Sequence, residues 1–290
     1  MATAAQWLAG ARPRTLPVAL APVAVGTGAA ANDDSAVWWK ALLALTVALA
    51  LQVGVNYAND YSDGVRGTDD DRVGPLRLVG SRVASPRQVK AAAFASFGIG
   101  AIAGLILAAT SSWWLVALGA TAIAAAWGYT GGNRPYGYRG LGEVSVFVFF
   151  GLVAVLGTTY VQAGGLTWPA VVAAFPVGML ACALLVVNNL RDAPKDAPAG
   201  KRTLAVRLGD RATRRLFGAL VLGSFVFPLA MVPRQPWACL ALLALPMTTP
   251  ALRQVLGGAA GKDLIPALAG TARAQLGFGL LLAVALAAGA

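Results

Sequence analysis

Long charge-free apolar runs, broken by short polar segments, dominate the 290-residue chain. Seven stretches stand out: Thr15–Asn32, Ala41–Asn59, Ala91–Asn133, Val144–Leu190, Leu216–Pro233, Gln235–Leu252 and Ala274–Ala290. A helix that crosses a bilayer needs roughly 20 mostly apolar residues. The third and fourth stretches are long enough for two helices each, turning at Ser111-Ser112 and at Gly164-Gly165. The pattern predicts an all-α integral membrane protein with nine transmembrane helices around a central cavity, residues 1–290 forming one domain. The runs are continuous rather than alternating, which argues against a transmembrane β-barrel.

Charge gives this chain a sidedness. With a cytoplasmic N-terminus, the long connections at about 59–90, 130–142 and 190–215 are cytoplasmic too. Of the 23 Lys and Arg residues, only Lys40 and Arg234 then fall outside. That asymmetry is what the positive-inside rule requires. Trp38, Trp39, Trp113, Trp114, Trp168 and Trp237 fall at the opposite helix ends, where aromatic belts form. The net charge of +11 is thus read as loops at an anionic membrane surface, with no nucleic-acid partner. Charged residues are 12% of the chain, about half the share of a soluble domain. Histidine is absent, which excludes imidazole metal sites, histidine bases and Ser-His-Asp triads. Cys182 and Cys239 each sit in an apolar run and read as small buried hydrophobes.

The acidic residues are concentrated. Asp60, Asp63, Asp69, Asp70 and Asp71 follow the second predicted span, and Asp192 and Asp196 follow the sixth. Both clusters face the cytoplasm in the nine-helix reading. If the second helix continues, Asp60 and Asp63 lie about 60° apart around its axis, and Asp192 and Asp196 about 40° apart around theirs. Pro194 and Pro198 leave the geometry of that second pair open. An Asp near the end of a membrane helix is costly, by up to roughly 2.5–3.5 kcal/mol at the helix centre, so two such helix ends imply a shared ligand. Carboxylates without imidazole select a hard cation, Mg2+ first. Asn59 and Asn188 each stand four residues before Asp63 and Asp192, adding oxygen donors at one repeated spacing. That spacing suggests a pseudo-repeat, with helices one to four and five to eight packed around the cavity and the ninth added. Carboxylates interleaved with Arg and Lys form a site for a phosphorylated group.

At this point the motifs become specific. Asn59-Asp60-x-x-Asp63 after the second span, with Asp192-x-x-x-Asp196 after the sixth, resembles the UbiA-type intramembrane aromatic prenyltransferases. Asp60-Tyr61-Ser62-Asp63-Gly64-Val65-Arg66-Gly67-Thr68-Asp69, Tyr129-Thr130-Gly131-Gly132, Gly140-Leu141-Gly142-Glu143 and Gly200-Lys201-Arg202-Thr203-Leu204 resemble the 1,4-dihydroxy-2-naphthoate polyprenyltransferase branch, in an actinobacterial form. The wider family places a third Asp where this chain has Gly67, as that branch also does. Asp69 is therefore either a ligand or a neighbour of the site.

The resemblance implies transfer of a polyprenyl group from its diphosphate to 1,4-dihydroxy-2-naphthoate, with loss of CO2 and diphosphate, giving demethylmenaquinone at the plasma membrane. It implies Mg2+ held among Asn59, Asp60, Asp63, Asp69, Asn188, Asp192 and Asp196, with the four Asp of the two motifs catalytic. Arg72, Arg77, Lys201 and Arg202 are candidates for the diphosphate. Arg12, Arg14, Arg134 and Arg139 are candidates for the acceptor carboxylate. Tyr129, Tyr136, Tyr138, Phe147 and Phe150 offer rings to an allylic cation, each with plain packing as the alternative. Glu143 either orients a hydroxyl or pairs with Arg139. Two rival readings stay open: the same fold with another aromatic acceptor, and a cation-coupled transporter. A transporter would place its ionisable residues at mid-membrane, whereas here they gather at one face.

Overall fold

A computed structural model of the chain describes residues 2–67 and 76–289, and the described residues are helical with no strand. Asp69, Asp70, Asp71 and Arg72 lie outside the described residues. A short amphipathic helix, α1 (Ala4–Ala11), opens on a Thr3/Gln6 capping box. The apolar helices follow: α2 (Pro17–Ala31), α3 (Trp38–Val65), α4 (Pro86–Ala109), α5 (Trp114–Gly128), α6 (Gly142–Ala163) and α7 (Trp168–Asp196). After a five-residue turn of helix, α8 (Leu204–Leu208), come α9 (Asp210–Met231), α10 (Pro236–Leu256) and α11 (Gly261–Ala287). Seven of these are long and apolar enough to cross a membrane; α2 and α5 are shorter apolar helices of 15 residues each. The protein is a multi-pass membrane protein.

The helix ends fall where the polar breaks lie. Gly164 closes α6 in the left-handed conformation that glycine adopts without strain. Helix α7 runs through Pro176 and Pro194 to Asp196, so the second acidic pair sits on a continuous helix. Residues Phe147–Val153 of α6 form a π-helical turn. There α6 and α7 touch backbone to backbone: a Cβ at Gly151 would lie 2.6 Å from the Gly178 Cα. Small residues make such approaches possible between membrane helices.

The helices alternate in direction. At one end the Lys40 ammonium donates to the carbonyls of Thr110 and Val161, so the start of α3 meets the ends of α4 and α6. Trp38, Trp114, Trp168 and Trp237 open α3, α5, α7 and α10, and all are exposed. The main core joins α2, α6 and α7 to α9, α10 and α11 through Val25, Val155, Leu180, Phe217 and Phe278. Outside it, Ile99, Ile102, Val144, Leu222, Val226 and Val284 point outward, an apolar surface suited to acyl chains rather than water. Cys182 is buried, as its setting predicts; Cys239 is exposed, because its helix turns it away from the core.

One departure concerns the internal repeat. The cavity is walled by residues of α2 to α7 and α11, and α9 and α10 supply none of its lining. The four-plus-four arrangement expected from the Asn-x-x-x-Asp spacing is therefore not symmetric about the cavity. The last helix replaces the seventh and eighth segments in its wall.

Candidate functional site

The site begins with a polar stripe on α3. Gln52, Asn56, Asn59 and Asp63 recur at helical spacing, so they share one face, and all four line a cavity of about 760 Å³. Gln52 donates to the Thr15 hydroxyl and Asn56 donates to both that hydroxyl and the Ala11 carbonyl. Thr15 in turn donates to the Arg12 carbonyl. The turn after α1 is thus latched to α3, with Arg12 in the left-handed region at φ 55°, a conformation costly for a non-glycine residue. The latch holds Arg12 and Arg14 in the cavity wall, and Arg12 Nη2 is buried without a hydrogen-bond partner among the described residues.

The mouth of the cavity joins the two acidic regions. Asp63 accepts from the Tyr138 hydroxyl and pairs with Arg77 at 3.5 Å. Two cations lie over the Tyr138 ring, the Arg66 guanidinium at 5.2 Å and the Lys201 ammonium at 5.1 Å. Lys201 pairs with Asp196 at 3.6 Å. Arg191 grips Asp192 through two 2.7 Å hydrogen bonds and donates a third to Asn188. Arg66 also donates to the carbonyls of Thr130 and Gly132, and Thr130 donates to Asn59. The 130–142 loop therefore braces both acidic helix ends.

Among the described residues, the charged ones in the cavity wall are Arg12, Arg14, Arg77, Arg191, Lys201 and Asp63. Asp192 and Asp196 sit behind their cationic partners. The described residues thus present a positive mouth, which fits a polyanionic ligand. Below it the walls are apolar, with Leu107, Leu115, Phe149, Phe150, Val153 and Val161 among them.

The structure separates the residues singled out by sequence. Asn59, Asp63, Arg77, Tyr129, Tyr136, Asn188 and Lys201 line the cavity, as do Arg12 and Arg14. Arg134, Arg139 and Arg202 are exposed and lie outside the lining. Phe150 lines it, while Phe147 packs on Phe175 and Gly178. Asp60 takes a different place from Asp63: its two oxygens accept from the backbone N–H groups of Leu78 and Val79 at 2.7 and 3.0 Å. Leu78 is buried beneath them against Tyr57 and Ala58. Asp60 therefore anchors the chain that carries Arg77. Glu143 pairs with Asn189, not Arg139. Tyr136 donates toward Ala125 and meets Ser145, and burial pushes its phenol above the usual range against the opposite pull of the Ser145 bond, so it stays neutral.

Gln52, Asn56, Asn189 and Arg191 were not singled out as site residues by sequence. The first two carried a legible signal, a polar stripe inside an otherwise apolar helix. Arg191 counted only as a loop charge.

Comparison with known proteins points one way. A profile of the UbiA prenyltransferase family matches residues 19–257. The chain is 57% identical over 289 residues to the 1,4-dihydroxy-2-naphthoate octaprenyltransferase of Mycobacterium tuberculosis, covering 100% of this chain and 99% of that protein. It is 41% identical over 268 residues to the Escherichia coli protein of the same name, covering 86% and 84%. Among solved structures, a UbiA homolog from Archaeoglobus fulgidus bound to GPP and Mg2+ superposes with a TM-score of 0.66 at 16% identity, covering 98% of each chain. An apo UbiA homolog from Aeropyrum pernix K1 gives 0.63 at 17% identity, covering 94% and 96%.

Proposed function

The chain belongs to the UbiA prenyltransferase family, and from that premise we propose that it transfers a polyprenyl group from a polyprenyl diphosphate to 1,4-dihydroxy-2-naphthoate in menaquinone biosynthesis. The observation that carries the reading is one cavity with apolar walls and a cationic mouth where two acidic helix ends meet. A prenyl tail belongs in the apolar part and its diphosphate at the mouth. Arg77, Arg191 and Lys201 face the phosphate oxygens there, and Arg12 or Arg14 meets the acceptor carboxylate.

The reaction breaks the allylic C–O bond and forms a C–C bond to the electron-rich naphthalene ring. Diphosphate and CO2 leave, and the product is the prenylated naphthalenediol, the reduced form of demethylmenaquinone. The protein's part is to hold the leaving diphosphate among cations and to keep water from the allylic cation in a dry bore. Phe149 and Phe150 place aromatic faces along that bore.

The donor set fits Mg2+. Every candidate ligand is an oxygen, and among the described residues no three acidic or thiol groups converge on one point. Oxygen donors on two separate helix ends suit Mg2+ ions that each take one or two carboxylates and are completed by substrate phosphates. Asp63, Asp192 and Asp196 would hold it, with Asn59 and Asn188 beside them, and Mg2+ bound there would supply charge neutralisation for the departing diphosphate. Asp69 and Arg72, in the undescribed loop, belong to the same proposal.

The full arrangement is nine spans, a cytoplasmic N-terminus and a cytoplasmic mouth in the plasma membrane. The one-sided distribution of Lys and Arg and the indoles at the opposite helix ends support it. Purified protein given one polyprenyl diphosphate, Mg2+ and a mixture of 1,4-dihydroxy-2-naphthoate, 4-hydroxybenzoate and homogentisate tests the function. Mass spectrometry should find the prenylated naphthalenediol alone. A prenylated benzene product instead would reassign the acceptor, and solute flux without any product would favour a transporter.

A further inference from the structure

Glu143 is 7% exposed, and its Oε1 accepts from the Asn189 side chain at 2.9 Å, while Oε2 has no partner among the described residues. It stands at the start of α6, beside the polar end of the cavity yet outside its lining. Asn189, on α7, does line the cavity, as do Asn188, Leu185 and Tyr129. A carboxylate oxygen only accepts, so Asn189 must turn its NH2 toward Glu143. Its Oδ1 is then turned away from Glu143, on a residue that lines the cavity. The Asn189 oxygen is therefore a fixed hydrogen-bond acceptor in a wall whose charged groups are, apart from Asp63, all cationic donors.

Neither a diphosphate nor a carboxylate has a proton to give such an acceptor. A phenolic hydroxyl does. We propose that Asn189 Oδ1 accepts a hydrogen bond from a ring hydroxyl of the aromatic acceptor, and that Glu143 is the positioning residue that fixes the Asn189 amide in that orientation. The inference rests on the acceptor reading above. Withdrawing the hydroxyl proton toward Asn189 enriches the ring carbon that attacks the allylic cation, and one fixed contact sets the ring's orientation. Tyr129 also lines the cavity, its ring so near the start of α6 that a Cβ at Gly142 would lie 3.2 Å from it.

The test uses the purified full-length protein with polyprenyl diphosphate, Mg2+ and 1,4-dihydroxy-2-naphthoate. Glu143→Leu removes the Oε1 acceptor, Asn189→Ala removes the contact itself, and Glu143→Gln keeps an oxygen for the Asn189 NH2. Leu and Ala variants should raise the KM for the naphthoate about tenfold, the size of one hydrogen bond. The KM for the prenyl diphosphate and the Mg2+ concentration for half-maximal rate should stay put. Glu143→Gln should return within about twofold of wild type. As competitive inhibitors, 1-hydroxy-2-naphthoate and 4-hydroxy-2-naphthoate each lack one hydroxyl. Wild type should bind one of them more weakly, and Asn189→Ala should erase the difference.

A shift in the diphosphate KM or the Mg2+ requirement would overturn the proposal and assign Asn189 to the donor site. Glu143→Gln as impaired as Glu143→Leu would overturn the positioning role and make the carboxyl a proton carrier. Should Glu143→Leu fail to fold, the Asn189→Ala and inhibitor measurements decide alone. Wild-type protein that forms no naphthoate product would instead overturn the function reading.

Discussion

Tyr138 and Asp63 link the two acidic regions of the chain: the phenol hydroxyl donates to the Asp63 carboxylate, while the same ring lies beneath Lys201, the partner of Asp196. One aromatic residue thus sets the distance between the end of α3 and the loop after α7. Tyr138→Phe keeps the ring and its cation contacts and loses only the hydroxyl. A charge-assisted hydrogen bond of this kind is worth about 1.5–3 kcal/mol. The expected result is a fall of about tenfold or more in kcat/KM for the prenyl diphosphate, with a modest drop in thermal stability in detergent. An unaltered kcat/KM would reduce the contact to packing.

Asp63 and Asp192 should be the least replaceable carboxylates. Asp63 accepts from the Tyr138 phenol and pairs with Arg77, Asp192 accepts twice from Arg191, and both belong to the proposed metal set. Asp63→Asn and Asp192→Asn retain size and lose charge, and product formation should fall by about a hundredfold or more. Membrane insertion, followed by size-exclusion profile, should be normal. Turnover retained in both variants would reject the metal role. For the native protein, EDTA should stop the reaction and added Mg2+ should restore it, whereas activity indifferent to chelation would leave leaving-group stabilisation to Arg77, Arg191 and Lys201 alone.

Asp60 makes a contrasting prediction. Its carboxylate accepts two backbone N–H groups, from Leu78 and Val79, so both oxygens must accept. In Asp60→Asn the NH2 opposes one of those donors, leaving a buried group unpaired at about 1–3 kcal/mol. Thermal stability should drop and the diphosphate KM should rise, because Arg77 is adjacent to the anchored segment. Metal requirement should not change. An Asp60→Asn protein with normal stability and a raised Mg2+ requirement would return Asp60 to the metal set.

These two aspartates show how far the sequence is legible. Charge-free length located the helices, and the indoles and basic loops located their ends, because both respond to the bilayer alone. The acidic motifs were visible because carboxylates are costly near apolar spans. What each carboxylate touches was not visible. Asp60 and Asp63 differ by about 60° on the helix, and the loop that folds back over Asp60 decides the rest. Arg191 and Lys201 reach the cavity while Asp192 and Asp196 stand behind them, an ordering set by side-chain reach and packing that spacing does not encode. Gln52 and Asn56 carried a readable stripe, but their partners Ala11 and Thr15 are far along the chain.

Sidedness is open to direct measurement. Single cysteines introduced at the exposed positions Arg134 and Trp38, in a Cys239→Ser background, lie in the connection after α5 and at the start of α3. A membrane-impermeant maleimide applied to intact cells should label position 38 and not position 134, and should label position 134 after the membrane is opened. The reverse pattern would invert the topology while leaving the fold as described.

The length of the donor tail is governed by the far part of the cavity. Gly119 on α5 and Gly157 on α6 both line it, and a Cβ added at either meets nothing within 4 Å. Gly119 is about 15 Å along its helix from Tyr129 at the polar end. A larger side chain at these positions therefore enters the bore without displacing a neighbour, and replacing a mid-helix glycine favours the helix. Gly119→Leu and Gly157→Leu should leave the mouth, the acceptor KM and the Mg2+ requirement unchanged. Short donors such as geranyl diphosphate should still be used, because their tails end before the obstruction. Octaprenyl diphosphate should lose about tenfold or more in kcat/KM, since a side chain across the bore leaves no room for the tail beyond it. The ratio of the two products in one competition reaction reads this without any assumption about enzyme concentration. Equal loss of both donors would mean that the substitutions disturb the mouth, and no loss of either would place the tail along another wall.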